Sequence, residues 1–122
     1  MKTETVSLPN SILVDLKGFC DESRTKKYCT TRWLTSPTFR VYVRHAWHVI
    51  HGVTRECFDI ANVEAEPRGQ GQFTEFLKEA TKTNPWDGVY IENVLDQRFS
   101  QYFRSRGWLE VGAPDSCFYL PR

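Results

Sequence analysis

A chain of 122 residues, 40% of them hydrophobic and 14% aromatic, has material for one domain, 1–122, built on one core. Its formal net charge of +1 argues against a large nucleic-acid footprint, and the one basic cluster, Arg24-Thr25-Lys26-Lys27, reads as a solvated face or loop. No apolar run approaches the roughly 20 residues of a membrane span, and the segment around Lys2, Glu4 and Pro9 lacks the apolar stretch of a secretory signal.

The four cysteines, Cys20, Cys29, Cys57 and Cys117, include no Cys-x-x-Cys pair and make no zinc pattern. Reduced thiols in a cytoplasmic setting are expected, with Cys117 in the core.

In chain order, residues 10–19 mix apolar and charged side chains as a short helix, ended near Gly18, and residues 20–35 read as polar, basic loop with room for one helical turn. From Phe39 the pattern changes. Phe39, Val41, Val43, Trp47 and Val49 recur at period two with Arg40, Arg44 and His48 between them, which predicts a half-buried strand. Gly52 punctuates, and Cys57–Ala65 predicts a second strand in a hairpin with the first.

Phe73, Phe76, Leu77 and Ala80 fall at i, i+3, i+4 and i+7 and predict an amphipathic helix broken at Asn84-Pro85. Val89–Val94 predicts a strand, and Asp96 starts a helix with Leu95, Phe99, Tyr102 and Phe103 on its apolar face. Gly107 is placed as the left-handed cap of that helix. Trp108–Val111 and Cys117–Leu120 are the last strands, either side of the Gly112-Ala113-Pro114-Asp115 turn. The class is α/β (α+β), a sheet with helices packed on it.

The chemistry is concentrated at Arg68-Gly69-Gln70-Gly71-Gln72-Phe73, a glycine turn between a strand and a helix start. Unpaired N–H groups at the positive end of the helix dipole make such a turn an anion site, and Arg68 adds a charged planar fork. An ATP-binding P-loop needs Gly-Lys-Ser/Thr, and here Gln72-Phe73 follows Gly71. A dinucleotide fingerprint needs a third glycine where Thr74 stands, although Glu92 lies where a ribose-binding acid belongs.

Residues 58–120 resemble the core of the GNAT family of acyl-CoA-dependent N-acyltransferases. Arg68 and Gly71 match the family's strand–Gln/Arg-x-x-Gly-x-Gly/Ala turn, and Gly107-Trp108 match its late Gly-aromatic pair. Arg68 to Thr74 and Glu92 to Leu95 are similar to small members encoded by bacteriophages.

The resemblance implies a mixed, mostly antiparallel central sheet flanked by helices, here with a shortened N-terminal half. It implies acetyl-CoA as cofactor and an amine of a small molecule or protein as acceptor. In a phage-encoded chain a host protein is a natural partner. The CoA pyrophosphate would sit on the amides of residues 69–73. The pantetheine arm would lie between the diverging strands 58–65 and 88–94, pairing near Asn62–Glu64. A backbone N–H near Val63 or Glu64 would polarise the thioester carbonyl, and Glu64, Glu66 or Glu92 would be the base, Glu64 first.

The sequence departs from the family in three places. Phe73 replaces a small residue of the turn and is expected to point into the core. Phe103 stands where a tyrosine protonates the leaving thiolate, and Tyr102 is about 100° around the helix from it. Asp96 holds the family's Asn position, with Asn93 as an extra polar group at the strand end.

These departures leave a second possibility, a GNAT-shaped module that binds a partner protein without turnover. His45, His48 and His51 recur every third residue, but on a strand positions i and i+3 face opposite ways, so they are not expected to share a metal. Trp86 is expected to close the core beneath its loop.

Overall fold

The computed structural model describes residues 8–65, 71–92, 94, 97–111 and 117–122. The elements run α1 (Asn10–Ser23), β1 (Thr30–Thr35), β2 (Phe39–Ile50), β3 (Val53–Ala65), α2 (Gln72–Thr83), β4 (Gly88–Ile91), α3 (Gln97–Ser105), β5 (Leu109–Val111) and β6 (Cys117–Pro121). They build one six-stranded sheet in the order β1-β2-β3-β4-β6-β5, antiparallel except for the β3–β4 pair. The mixed, mostly antiparallel sheet expected from the sequence is present.

The N-terminal third differs from its expectation. Helix α1 runs through Gly18 to Ser23, because Phe19, Cys20 and Ser23 continue the buried stripe begun by Ile12 and Leu16. Segment 20–35 is not all loop, since Thr30–Thr35 forms an edge strand paired along β2. Only Leu34 of that strand is buried, so its sequence carries almost no period-two signal. Arg24, Thr25, Lys26 and Lys27 are exposed, as expected of a solvated cluster.

Strands β2 and β3 form a long hairpin across a two-residue turn, where His51 has φ 48° and Gly52 φ 84°. Positive φ at both positions is the primed turn that matches the twist of paired strands. Strand β3 therefore starts at Val53, four residues before the predicted Cys57. A bulge follows: Val43 pairs with Ile60 but Tyr42 pairs with Asn62, leaving Ala61 extra.

One face of the sheet carries the main core, in which Val41, Val43, Phe58, Ile60, Val89, Ile91 and Phe118 meet Phe19 of α1, Phe76 of α2 and Phe103 of α3. Phe73 joins this cluster, and Trp86 is buried in it, both as expected. The other face holds a smaller cluster of Ile50, Cys57, Tyr90, Val111 and Tyr119, with Cys117 half-buried against it. Gly107 has φ 81° and ends α3 as the left-handed cap.

No helix among the described residues is long and apolar enough to cross a membrane. The predicted turn at residues 112–115 lies outside the described residues.

Candidate active site

Two features of the backbone position the site. The first is the start of α2. Gly71 caps it with φ 82° and has no side chain to cap the first turn, so among the described residues the leading N–H groups are offered no side-chain cap. The Gln72 side chain is buried rather than offered to a ligand: its amide donates to Thr38 O at 3.2 Å and its Oε1 accepts from Thr38 Oγ1 at 3.1 Å. Phe73 is buried against Phe99, while Thr74 is half-buried. What residues 72–74 can offer an anion is therefore led by the backbone. Arg68, Gly69 and Gln70 lie outside the described residues.

The second feature is the end of the parallel pair. Cys57–Ile60 of β3 pairs with Gly88–Ile91 of β4, and Glu92 N–H then reaches Ile60 O at 3.0 Å. Strand β3 continues to Ala65 with β2 on its other side, and among the described residues nothing of β4 pairs with residues 61–65. Val63 is half-buried there, and Glu64 is exposed and ion-paired with Arg40 at 3.1 Å.

Beneath this end of the pair, on the face of the smaller cluster, lies a polar group that sequence reading found only in part. Arg44 sits opposite Asp59 in the hairpin register and His48 lies one i, i+4 step along the same face of β2. Arg44 Nη2 donates to Asp59 Oδ2 at 2.9 Å and also contacts Glu92 Oε2. His48 Nε2 lies 2.7 Å from the same Asp59 Oδ2, and its ring stacks on Tyr90 at 3.7 Å.

Burial pushes the Glu92 carboxyl above its usual range, with neighbouring Asp59 acting the same way and Arg44 against it. Glu92 was expected here. Arg44, His48 and Asp59 were not, though one sign was legible: a charged Asp59 inside the apolar run Cys57-Phe58-Asp59-Ile60 needs a partner.

His45 points to the opposite face, as strand periodicity requires, and is a buried core histidine stacked on Trp86 with Nε2 at 2.6 Å from Glu56 Oε2.

In α3, Phe103 is fully buried against Trp108 and Phe118. Tyr102 is half-buried beside it, with the Arg106 guanidinium 4.9 Å from its ring. Asn93, Asp96 and Glu66 lie outside the described residues.

No protein-family model and no curated protein matches the sequence. Solved structures do. One is the AtaT toxin with a tyrosine-to-phenylalanine mutation, bound to the C-terminus of the antitoxin AtaR. It is 14% identical, with a TM-score of 0.55 over 69% of this chain and 58% of that one. The same mutant with acetyl-CoA as well gives a TM-score of 0.56 at 14% identity, over 83% of this chain and 72% of that one. AtaT complexed with acetyl-methionyl-tRNAfMet gives 0.55 at 10% identity, over 93% and 82%.

The fold is GNAT-like. The chain spans under two thirds of the first of these neighbours. Because Glu92 N–H bonds Ile60 O, the Arg44–Asp59–His48–Glu92 group lies at the end of the β3–β4 pair.

Proposed function

We propose that this chain is an acetyl-CoA-dependent N-acetyltransferase whose acceptor is an amine of a small molecule or protein. The observation that carries the reading is the β3–β4 pair, which stops at Ile60 and Ile91 while β3 runs on to Ala65. A strand edge left without a partner among the described residues suits an extended chain with amide groups of its own, such as pantetheine. The start of α2, with Arg68 and residues 69–73, suits the pyrophosphate. AtaT has been solved with acetyl-CoA, which supports the same cofactor here.

In this reading the amine nitrogen attacks the thioester carbonyl, the C–N bond forms and the C–S bond breaks. A backbone N–H near Val63 or Glu64 meets the oxyanion. Glu92 takes the ammonium proton and is preferred to Glu64, because burial and neighbouring Asp59 push its carboxyl up at the end of the pair, whereas Glu64 is exposed to solvent. Asn93 and Asp96 remain candidates for orienting the cofactor. With Phe103 buried and apolar, the thiolate leaves unassisted and takes its proton from water, unless Tyr102 reaches it.

The buried Phe103 also favours a second reading, a partner-binding module without turnover. Calorimetric titration with acetyl-CoA separates the two. Micromolar binding, lost in Arg68→Ala and Gly71→Asp, supports the acetyltransferase. No binding by folded wild-type protein leaves the partner-binding module. With an amine panel and detection of released CoA, Glu92→Gln is expected to lower turnover by about 10²–10⁴-fold, and Glu64→Gln to leave it near wild type.

A further inference from the structure

Among the described residues, His48, Asp59 and Glu92 place one ligand atom each within 4.8 Å of one another. We propose that they form a cation-exchange site. A divalent ion that accepts imidazole and carboxylate, zinc or manganese, takes His48 Nε2 and one oxygen each from Asp59 and Glu92, and displaces the Arg44 guanidinium.

Four observations carry this. Asp59 is fully buried, and its Oδ1 has no hydrogen-bond partner while Oδ2 serves both Arg44 and His48. A buried carboxylate oxygen without a donor is costly, and a metal ion satisfies it. Arg44 fills its place poorly: one nitrogen, Nη2, serves both carboxylates, and the buried Nε has no partner. An optimal guanidinium–carboxylate pair uses two parallel N–H groups instead.

The charge also favours exchange. Two carboxylates carry two negative charges, which a divalent ion neutralises and a guanidinium only halves. Finally, the parts are placed for exchange. The Arg44 side chain is 30% exposed, so its head has a route to water, while His48 is held flat on Tyr90 with ring planes 8° apart. Imidazole with carboxylates is a zinc or manganese donor set, with bonds of about 2.0–2.2 Å for zinc, so only small shifts gather these atoms around one ion.

The site stands whether or not the chain transfers acetyl groups. If it does, a metal-bound Glu92 is withdrawn from base duty, and the loaded site is an off state.

The test uses chelator-treated full chain carrying Cys29→Ser, which removes an exposed thiol that would take zinc. Calorimetry with zinc chloride, and electron paramagnetic resonance with manganese chloride, read stoichiometry and affinity. Expected is uptake of one equivalent, weakened at least about tenfold by His48→Gln and by Glu92→Gln. Arg44→Gln should bind the ion more tightly than wild type, because the competing cation is gone. Absence of uptake of either ion by folded protein would overturn the proposal. So would uptake unchanged in His48→Gln, or weaker binding in Arg44→Gln, which would make the arginine a support for the site. Should Arg44→Gln not fold, the two glutamine variants at partly exposed positions still decide.

Discussion

Gln72 and Thr38 exchange two hydrogen bonds, Nε2–H to the carbonyl oxygen at 3.2 Å and Oγ1–H to Oε1 at 3.1 Å, in a buried setting. The pair ties the first residue of α2 to the residue before β2, and so fixes where the candidate anion cradle sits relative to the sheet. Gln72→Ala leaves Thr38 O and Thr38 Oγ1 without these partners. A loss of about 1–3 kcal/mol in urea unfolding is expected. Acetyl-CoA affinity should fall with it, although the side chain touches no ligand. Unchanged stability would show that the tie is not formed in solution.

Gly88 is needed for space. A Cβ there would lie 2.5 Å from Leu120 O and 2.6 Å from the Tyr119 ring. A backbone oxygen in a paired strand cannot step aside as a flexible side chain can. Gly88→Ala is expected to destabilise by about 1–3 kcal/mol through overpacking, read as a lower urea midpoint. Gly52→Ala makes a useful contrast: nothing lies within 4 Å of its Cβ, so its whole cost comes from φ 84°.

Phe103→Tyr restores the residue type that the family resemblance predicts at that position. Phe103 is fully buried between Trp108 and Phe118, so a new hydroxyl has to find a partner or go without one. The expected result is a loss of about 1–3 kcal/mol with no gain in turnover. Wild-type stability together with faster CoA release would mean that the hydroxyl reaches the leaving thiol, and α3 would then be set as in the tyrosine-bearing members.

Burial pushes the Cys20 and Cys57 thiols up to about 12, with Asp21 and Asp59 adding to the effect. A thiol-specific reagent at pH 8 should therefore modify exposed Cys29 quickly and leave Cys20 and Cys57 unreacted until the chain unfolds. The linkage has a definite sign. Below about pH 9 both states hold these protons, and the stabilising effect of the neutral thiols is fully present. As pH rises from there toward 12 the unfolded chain releases them first, and stability falls. Melting temperatures between pH 8 and 11 should drop less in Cys57→Ala than in wild type.

The parts of the fold readable from sequence are those where burial alternates cleanly. Phe39, Val41 and Val43 announced β2, and Phe73, Phe76, Leu77 and Ala80 announced α2. Strand β1 is silent because its inward positions are Thr30, Arg32 and Leu34 while Trp33 is exposed, so burial alternates along it but apolar character does not. The end of α1 is masked in the sequence because Gly18 signals a stop, whereas the buried stripe continues past it through Phe19, Cys20 and Ser23.

The polar group was hidden for a different reason. Arg44, Asp59 and Glu92 are brought together by hairpin register and a parallel crossover, neither of which leaves a local pattern. The separation of His45 from His48 was legible, because strand geometry alone sends neighbours three apart to opposite sides.

The extra residue at Ala61 divides β3 into two stretches of opposite parity. Before it, the odd positions 57 and 59 share a face with Arg44. After it, the even positions 62 and 64 lie beside Tyr42 and Arg40, while Val63 turns toward the core. Removing Ala61 would let Ile60 and Asn62 alternate directly, so Val63 would keep its core side and Glu64 its wet one, and only the local bend and added twist of the bulge would be lost. The strand therefore carries one residue more than its partner without turning Val63 out of the core, whereas one residue added beyond the bulge would turn it out.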